Sequence, residues 1–284
     1  MTSLTLPAVA KINLFLHITG RRDDGYHNLQ TLFQLLDVGD ELTFTPRADN
    51  QLNLDSNNQA LINDENLVMR AAKKLQHFAL QQGINTGCDI FLNKRLPMGG
   101  GLGGGSSDAA TTLLALNKLW QLGLSSAQLA KIGLQLGADV PVFVQGRTAF
   151  AEGVGEKLTP VDLPSKVFLI VTPDCHISTA EIFSHPALIR DSKALTLDTL
   201  MYSSWRNDCQ PLVEKLQPIV AITLQWLLEY APSRMTGTGA SVFAEFPDRT
   251  SAQHALAKLP ADWQGFIAQG VNQSPLLAAL ADTE

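Results

Sequence analysis

Four groups of residues in this chain have the chemistry to hold and turn over a small anionic ligand. The densest is Pro97-Met98-Gly99-Gly100-Gly101-Leu102-Gly103-Gly104-Gly105-Ser106-Ser107, with six glycines in seven positions. Glycine amides carry no Cβ, so a phosphate can approach the backbone directly. A helix that starts at the end of the run adds unpaired N–H donors and the positive end of its dipole. That combination suits the phosphates of a nucleotide. Lys11 and Asn13 form a second group, two polar side chains on one side of an alternating run. Tyr26-His27 offers a flat ring and a ring nitrogen just after a charged turn. Asp139 is the only charged residue between Lys131 and Arg147. Each has a plainer reading. Strand lysines usually face solvent, a tyrosine after a turn can anchor a hairpin tip, and an aspartate before Val-Pro can cap a helix. For Asp139, helix cap and general base both stay open on this ground alone.

The elements that must position these groups follow from periodicity. Lys11 to Thr19 alternates, with Ile12, Leu14, Leu16 and Ile18 on one face, and predicts a half-buried strand. Gly20 to His27 reads as a turn, followed by strand runs at Leu29–Leu36, Glu41–Thr45 and Gln51–Asp55. Asn63-Asp64-Glu65 reads as a helix start, with an apolar stripe from Leu67 ending near Gly83. Cys88–Leu92 reads as a strand leading to the glycine run. A helix is predicted from Ser107 to Trp120 with a serine cap, and Asp108 in its first turn is either a dipole partner or a magnesium neighbour. Ser125 or Ser126 starts a further helix that closes at Gly137. Strands are expected at Lys166–Thr172, Ser241–Phe246 and Gly265–Gly270. Helices are expected from Thr179, over Ile219–Tyr230, over Thr250–Leu259 and over Pro275–Leu280. Thr236-Gly237-Thr238-Gly239-Ala240-Ser241 is a tight turn or a second wall of the phosphate site. A boundary near Glu156 predicts domains of residues 1–156 and 157–284.

Composition narrows the function classes. With 284 residues, 45% hydrophobic and 17% charged, the chain can bury a sizeable core. Its net charge of −6 argues against general nucleic-acid binding. Three scattered cysteines make neither a disulfide framework nor a zinc pattern, and suit reduced thiols in the cytoplasm. Lys11 and Asn13 interrupt the apolar N-terminus, so no signal peptide is expected, and no apolar run reaches the roughly 20 residues that span a bilayer.

The glycine run also fits weaker patterns, which fail on context. Gly99, Gly101 and Gly104 match the dinucleotide fingerprint, but no acidic residue follows about 20 positions later to hold a ribose. No lysine follows the glycines as a P-loop requires. The protein-kinase motifs HRD and DFG are absent.

What remains, P-x3-G-L-G-x-G-S-S-x-A-A, resembles the phosphate loop of the galactokinase, homoserine kinase, mevalonate kinase and phosphomevalonate kinase (GHMP) superfamily. Five segments in order resemble one family within it, the 4-diphosphocytidyl-2-C-methyl-D-erythritol kinases of non-mevalonate isoprenoid synthesis. They are Ala10–Leu14, Arg22–His27, Arg95-Leu96-Pro97 with the glycine loop, Gly137–Pro141 and Thr236–Ala240. The resemblance implies a two-domain α+β fold. Its N-terminal domain would be like domain 2 of ribosomal protein S5 and its C-terminal domain ferredoxin-like, with the active site in the cleft between. It implies transfer of the γ-phosphoryl of ATP, with Mg2+, to the 2-hydroxyl of the cytidine diphosphate methylerythritol substrate. Lys11 and Asp139 match the family's catalytic pair. Tyr26, His27 and Phe183 match the residues that hold cytosine, with Asn13 and Thr179 also on the substrate side. Asn66, Leu67 and Lys94 match residues near the ATP base. Pro97, Met98, Gly99, Gly100, Gly101, Leu102, Gly103, Gly104, Gly105, Ser106 and Ser107 match the loop on its phosphates. The loop is longer than the GLGSS of mevalonate kinases, which leaves open whether Ser106 or Ser107 meets magnesium; no residue is assigned as a metal ligand. The expected partners are a small molecule, not nucleic acid or membrane, for a cytoplasmic monomer or weak homodimer. The competing readings are another superfamily kinase, for homoserine or mevalonate, and a non-catalytic nucleotide- or RNA-binding module.

Overall fold

The chain is organised on its first strand. In the computed structural model, which describes residues 3–84 and 86–282, β1 (Leu4–Arg21) runs for 18 residues. It is longer than the run predicted over Lys11–Thr19 and is buried on both faces rather than one. Lys11, Asn13, Phe15 and His17 are all at most 3% exposed. The reason is that β1 threads the three hydrophobic cores found among the described residues. Leu4, Leu6, Ala8 and Val9 enter the first, Ala10, Ile12, Leu14 and Phe15 the second, Leu16 and Ile18 the third. Breaks in register after Val9, Asn13 and Ile18 turn the strand between them.

β2 (His27–Pro46) returns antiparallel to β1. The two predicted runs, Leu29–Leu36 and Glu41–Thr45, are one strand. Gly39 interrupts the apolar pattern because the backbones meet there: a Cβ would sit 2.0 Å from the Ala8 carbonyl oxygen. The far edge of β2 is shared by three strands in turn. β5 (Ala149–Gly153) pairs with Leu29–Phe33, β10 (Gln264–Val271) with Leu35–Leu36, and β4 (Cys88–Asn93) with Glu41–Pro46. β3 (Leu52–Ser56) lies parallel to β4, and β6 (Lys157–Pro160) closes a hairpin on β5. Helices α1 (Leu67–Gln81), α2 (Gly104–Leu119), α3 (Ser126–Leu134) and α4 (Val140–Gln145) supply side chains to the first core. The C-terminal helix α10 (Pro275–Ala281) returns to pack against β1.

The second half runs β7 (Val167–Thr172), α5 (Thr179–Ser184), α6 (Leu197–Met201), α7 (Gln210–Leu216), α8 (Pro218–Leu228), β8 (Ser233–Met235), β9 (Val242–Phe246), α9 (Arg249–Leu256) and β10. Its strands are antiparallel in the order β10-β7-β9-β8. This is the split β-α-β-β-α-β arrangement of ferredoxin-like domains. The fold is thus α+β, and the β2–β10 pairing joins its two parts. Among the described residues no helix is long and apolar enough to cross a membrane.

Two helix starts differ from expectation, and both bear on the site. α1 begins at Leu67, not at Asn63–Glu65, because Asn66 is the residue whose Oδ1 accepts from the Val68 N–H. α2 begins at Gly104, not Ser107, and has no side-chain cap. Gly103, at φ 73°, turns the chain directly into the helix. Ser106 and Ser107 therefore lie inside the first turn instead of capping it.

Candidate active site

The site is assembled around the Lys11 ammonium. The ammonium donates to Asn13 Oδ1 at 2.6 Å and to the Gly101 carbonyl at 3.0 Å, and forms an ion pair with Asp139 Oδ2 at 3.2 Å. The solvent-facing reading of Lys11 does not hold. Asn13 is spent inside the protein. Its Nδ2 donates to Thr31 Oγ1 at 2.8 Å, and its backbone N–H donates to Thr236 Oγ1 at 2.9 Å. Asp139 stands at the N-cap position of α4 but makes no capping bond. Its carboxylate turns to Lys11 instead, with the Asp139 side chain 32% exposed against 4% for Lys11. The helix-cap reading of Asp139 does not hold either.

The glycine loop crosses the end of this cluster. Gly99, Gly101 and Gly103 have φ of 69°, 74° and 73°, so left-handed residues alternate along it. Such alternation turns successive N–H groups into one concavity that suits an anion. Leu102 accepts from the Lys11 N–H at 3.0 Å, and Gly100 accepts from the Ser241 N–H at 3.2 Å. A Cβ at Gly101 would fall 2.5 Å from the Thr236 carbonyl oxygen, so the turn at Thr236–Ser241 packs backbone to backbone on the loop. The N–H groups of the first α2 turn have no intrahelical acceptor and open at the same place. Ser106 is half-buried, with its hydroxyl beside Gly137, whereas Ser107 is 1% exposed. Pro97 and Met98 form the loop's outer rim, Met98 being 56% exposed. Leu67, at the start of α1, lies against Gly105.

Below the loop is an ion triad that the sequence did not reveal. Lys94 Nζ lies 2.6 Å from Asp40 Oδ2 and 2.7 Å from Asp108 Oδ2, all three largely enclosed. Asp40 Oδ1 also accepts from the Arg95 and Leu96 N–H groups at 2.6 and 2.8 Å. Burial pushes the Asp108 carboxyl up to about 7; Lys94 opposes this and Asp40 adds to it. Burial opposes charge on Lys94, but the two carboxylates outweigh it and its pKa is raised. A single ammonium stands between the two carboxylates, and burial pushes the Asp108 carboxyl toward its neutral form. Asp40, between Gly39 and Glu41, carries no local signal of this role. Lys94 and Asn66 are both occupied: Asn66 caps α1 and donates to the Leu61 carbonyl. A cleft of about 730 Å³ beside Lys94 is lined by Asn57, Asn58, Pro97, Met98 and, from the second half, Thr172 and Asp174.

A third cluster lies at the far end of the β1–β2 hairpin. The His27 and Phe183 rings are 5.2 Å apart, and Arg190 Nε donates to His27 Nε2 at 2.9 Å. Burial lowers the His27 pKa, and the charges of Arg190 and Arg21 lower it further. Tyr26 is 62% exposed, so it does not anchor the hairpin tip. Thr179 shares a 2.8 Å hydrogen bond with Thr238, which ties α5, the helix of Phe183, to the turn beside the loop. Thus Lys11, Asn13, Asp139 and the loop form one cluster, and His27 and Phe183 another. Tyr26 stands outside the His27–Phe183 ring pair. Thr31 and Arg190 carry no local signal, whereas Thr236 stands in the turn read from sequence as a possible second wall of the phosphate site.

Comparison with known proteins bears on this arrangement. Residues 66–147 match the GHMP kinases N terminal domain and residues 186–265 the GHMP kinases C terminal domain. The chain is 58% identical over 279 residues to 4-diphosphocytidyl-2-C-methyl-D-erythritol kinase of Shewanella loihica, covering 98% of this chain and 97% of that one. It is 59% identical over 280 residues to the enzyme of that name from Shewanella piezotolerans, covering 98% of each. A crystal structure of 4-(cytidine 5'-diphospho)-2C-methyl-D-erythritol kinase superposes with a TM-score of 0.79 at 31% identity, over 95% of this chain and 100% of that one. Mevalonate kinase of Methanococcus jannaschii, at 17% identity and a TM-score of 0.69 over 95% of this chain and 98% of that one, shares the fold. The chain belongs to the 4-diphosphocytidyl-2-C-methyl-D-erythritol kinase family of the GHMP kinases, which are small-molecule phosphotransferases.

Proposed function

We propose that the chain transfers the γ-phosphoryl of ATP to the 2-hydroxyl of 4-(cytidine 5'-diphospho)-2-C-methyl-D-erythritol, giving the 2-phosphate and ADP. The observation that carries this reading is the Lys11 ammonium, which joins the Asp139 carboxylate to the Gly101 carbonyl of the glycine loop. Phosphoryl transfer asks little covalent help of a protein; positioning and charge stabilisation dominate. The loop amides and the start of α2 hold the phosphates. Asp139 orients the substrate hydroxyl and takes its proton as the new P–O bond forms. The bond from the γ-phosphorus to the β–γ bridging oxygen breaks, and ADP leaves with that oxygen. Lys11 stabilises the charge on the attacking oxygen, and Asn13 holds Lys11 in place. Tyr26, His27 and Phe183 take the cytosine, and the cleft beside Lys94 lies on the side of the ATP base.

The oxygen donors at the loop suit Mg2+, a hard cation bound mainly through phosphates and one or two protein groups. Among the described residues no group of three His, Cys, Asp or Glu side chains makes a separate metal site. Magnesium would arrive with the nucleotide, held by the Ser106 hydroxyl rather than the buried Ser107, and when bound it would neutralise phosphate charge.

The test is ADP release by the purified protein with ATP, magnesium and the cytidyl substrate, with mevalonate and homoserine as alternative acceptors. Turnover of the cytidyl substrate alone is expected. Preference for mevalonate or homoserine would move the assignment to another superfamily kinase.

A further inference from the structure

The His27–Phe183 pair is braced by one side chain outside it. Arg190, half-buried between α5 and α6, spends four N–H donations at once. Nε donates to His27 Nε2 at 2.9 Å and Nη1 to the Leu188 carbonyl at 3.1 Å. Nη2 donates to the Phe183 carbonyl at 2.9 Å and the His185 carbonyl at 2.7 Å. The guanidinium thus grips the ring of one residue and the backbone of the other. A guanidinium N–H can only donate, so His27 Nε2 must accept. A neutral imidazole that accepts at Nε2 carries its proton on Nδ1.

We infer that Arg190 is a positioning residue for pyrimidine selection: it fixes the distance between His27 and Phe183 and locks His27 as the Nδ1–H donor. The inference rests on the base-binding role proposed for Tyr26, His27 and Phe183. Cytosine presents two adjacent acceptors, O2 and N3; uracil carries a hydrogen at N3. A ring locked as a donor favours the first over the second. The charged groups that face His27 are Arg190 and, from β1, its register partner Arg21. Both disfavour the imidazolium, so the neutral donor persists below the ordinary histidine range. Lysine at 190 would keep the charge but could not span a ring nitrogen and three carbonyls.

Two measurements test this. In 15N-histidine spectra of the whole protein at neutral pH, His27 should be neutral with its proton on Nδ1; a charged ring or an Nε2–H tautomer overturns the inference without any variant. In steady-state kinetics, Arg190→Lys should raise KM for the cytidyl substrate about tenfold, the loss of one hydrogen bond to a charged donor. KM for ATP should be unmoved. Discrimination between the cytidyl substrate and its uridyl counterpart should shrink, and the acid limb of the kcat/KM profile should move to higher pH; a loss of packing alone moves neither. A folded Arg190→Lys protein with unchanged KM and unchanged discrimination overturns the role of Arg190. His27→Ala and Phe183→Ala serve as reference. If they raise KM and Arg190→Lys does not, Arg190 alone is wrong. If they too leave KM unchanged, the base-binding reading falls and this inference with it.

Discussion

Lys11 Nζ lies 3.2 Å from Asp139 Oδ2, with the ammonium enclosed and the carboxylate partly open. The two side chains come from β1 and from the residue before α4, 128 positions apart, and meet where the glycine loop passes. A shielded cation beside an accessible carboxylate is suited to receiving a hydroxyl group.

Asn13 supports this pair from inside the protein. Asn13→Ala removes one of the two hydrogen-bond acceptors of Lys11 and leaves a buried donor unpaired, at a cost of about 1–3 kcal/mol. The expected result is a kcat roughly ten- to a hundredfold lower with KM for ATP little changed. A rise confined to KM for ATP would contradict the positioning role.

Gly101 combines a φ of 74° with a Cβ position 2.5 Å from the Thr236 carbonyl oxygen. Gly101→Ala must displace either the loop or the turn at Thr236–Ser241. Nucleotide binding measured by calorimetry should fall at least about tenfold, and the melting temperature should drop. Normal ATP affinity in a folded Gly101→Ala protein would remove the loop from the phosphate site.

Much of this arrangement could be read from sequence because it is local. The glycine run, the alternation from Lys11 and most elements of the second half are patterns within a few residues, whereas α6, α7 and β8 are not among the elements so expected. What could not be read depends on long-range packing. Alternation reports one apolar face and predicts a half-buried β1; the strand is covered on both faces because three cores meet on it. Serine is the common cap and predicts a start of α2 at Ser107; glycine at 103 makes the cap unnecessary. Asp40 and Arg190 find their partners 54 and 163 positions away.

Asp108 offers a pH signature. Its carboxyl, raised to about 7, binds a proton more tightly in the folded protein than in the unfolded chain, where it titrates near 4. The stability it contributes is present at low pH and is lost as pH rises from about 4 through 7. Asp108→Asn removes this loss while keeping the side chain's shape. Its stability relative to the parent in urea unfolding should therefore climb across that window, by on the order of 1 kcal/mol or more, one pKa unit being worth about 1.4 kcal/mol. A difference that is flat or falls with pH would place the proton elsewhere in the Asp40–Lys94–Asp108 triad.

Tyr26, 62% exposed at the hairpin tip, is free to stack on a ligand without first breaking a core contact. Tyr26→Ala should leave the melting temperature unchanged and raise KM for the cytidyl substrate about tenfold, within the 1–3 kcal/mol of a base–aromatic stack. An unchanged KM would show that the ring does not meet the base.

The most direct test of the account is the single-turnover rate of Asp139→Asn with ATP, magnesium and the cytidyl substrate. Asparagine keeps the size of the side chain but cannot take a proton from the substrate hydroxyl. The account predicts a rate about 10²–10⁴-fold lower in a protein that melts as the parent does, the range for loss of a general base. A folded Asp139→Asn protein that turns over at a near-parental rate would contradict it.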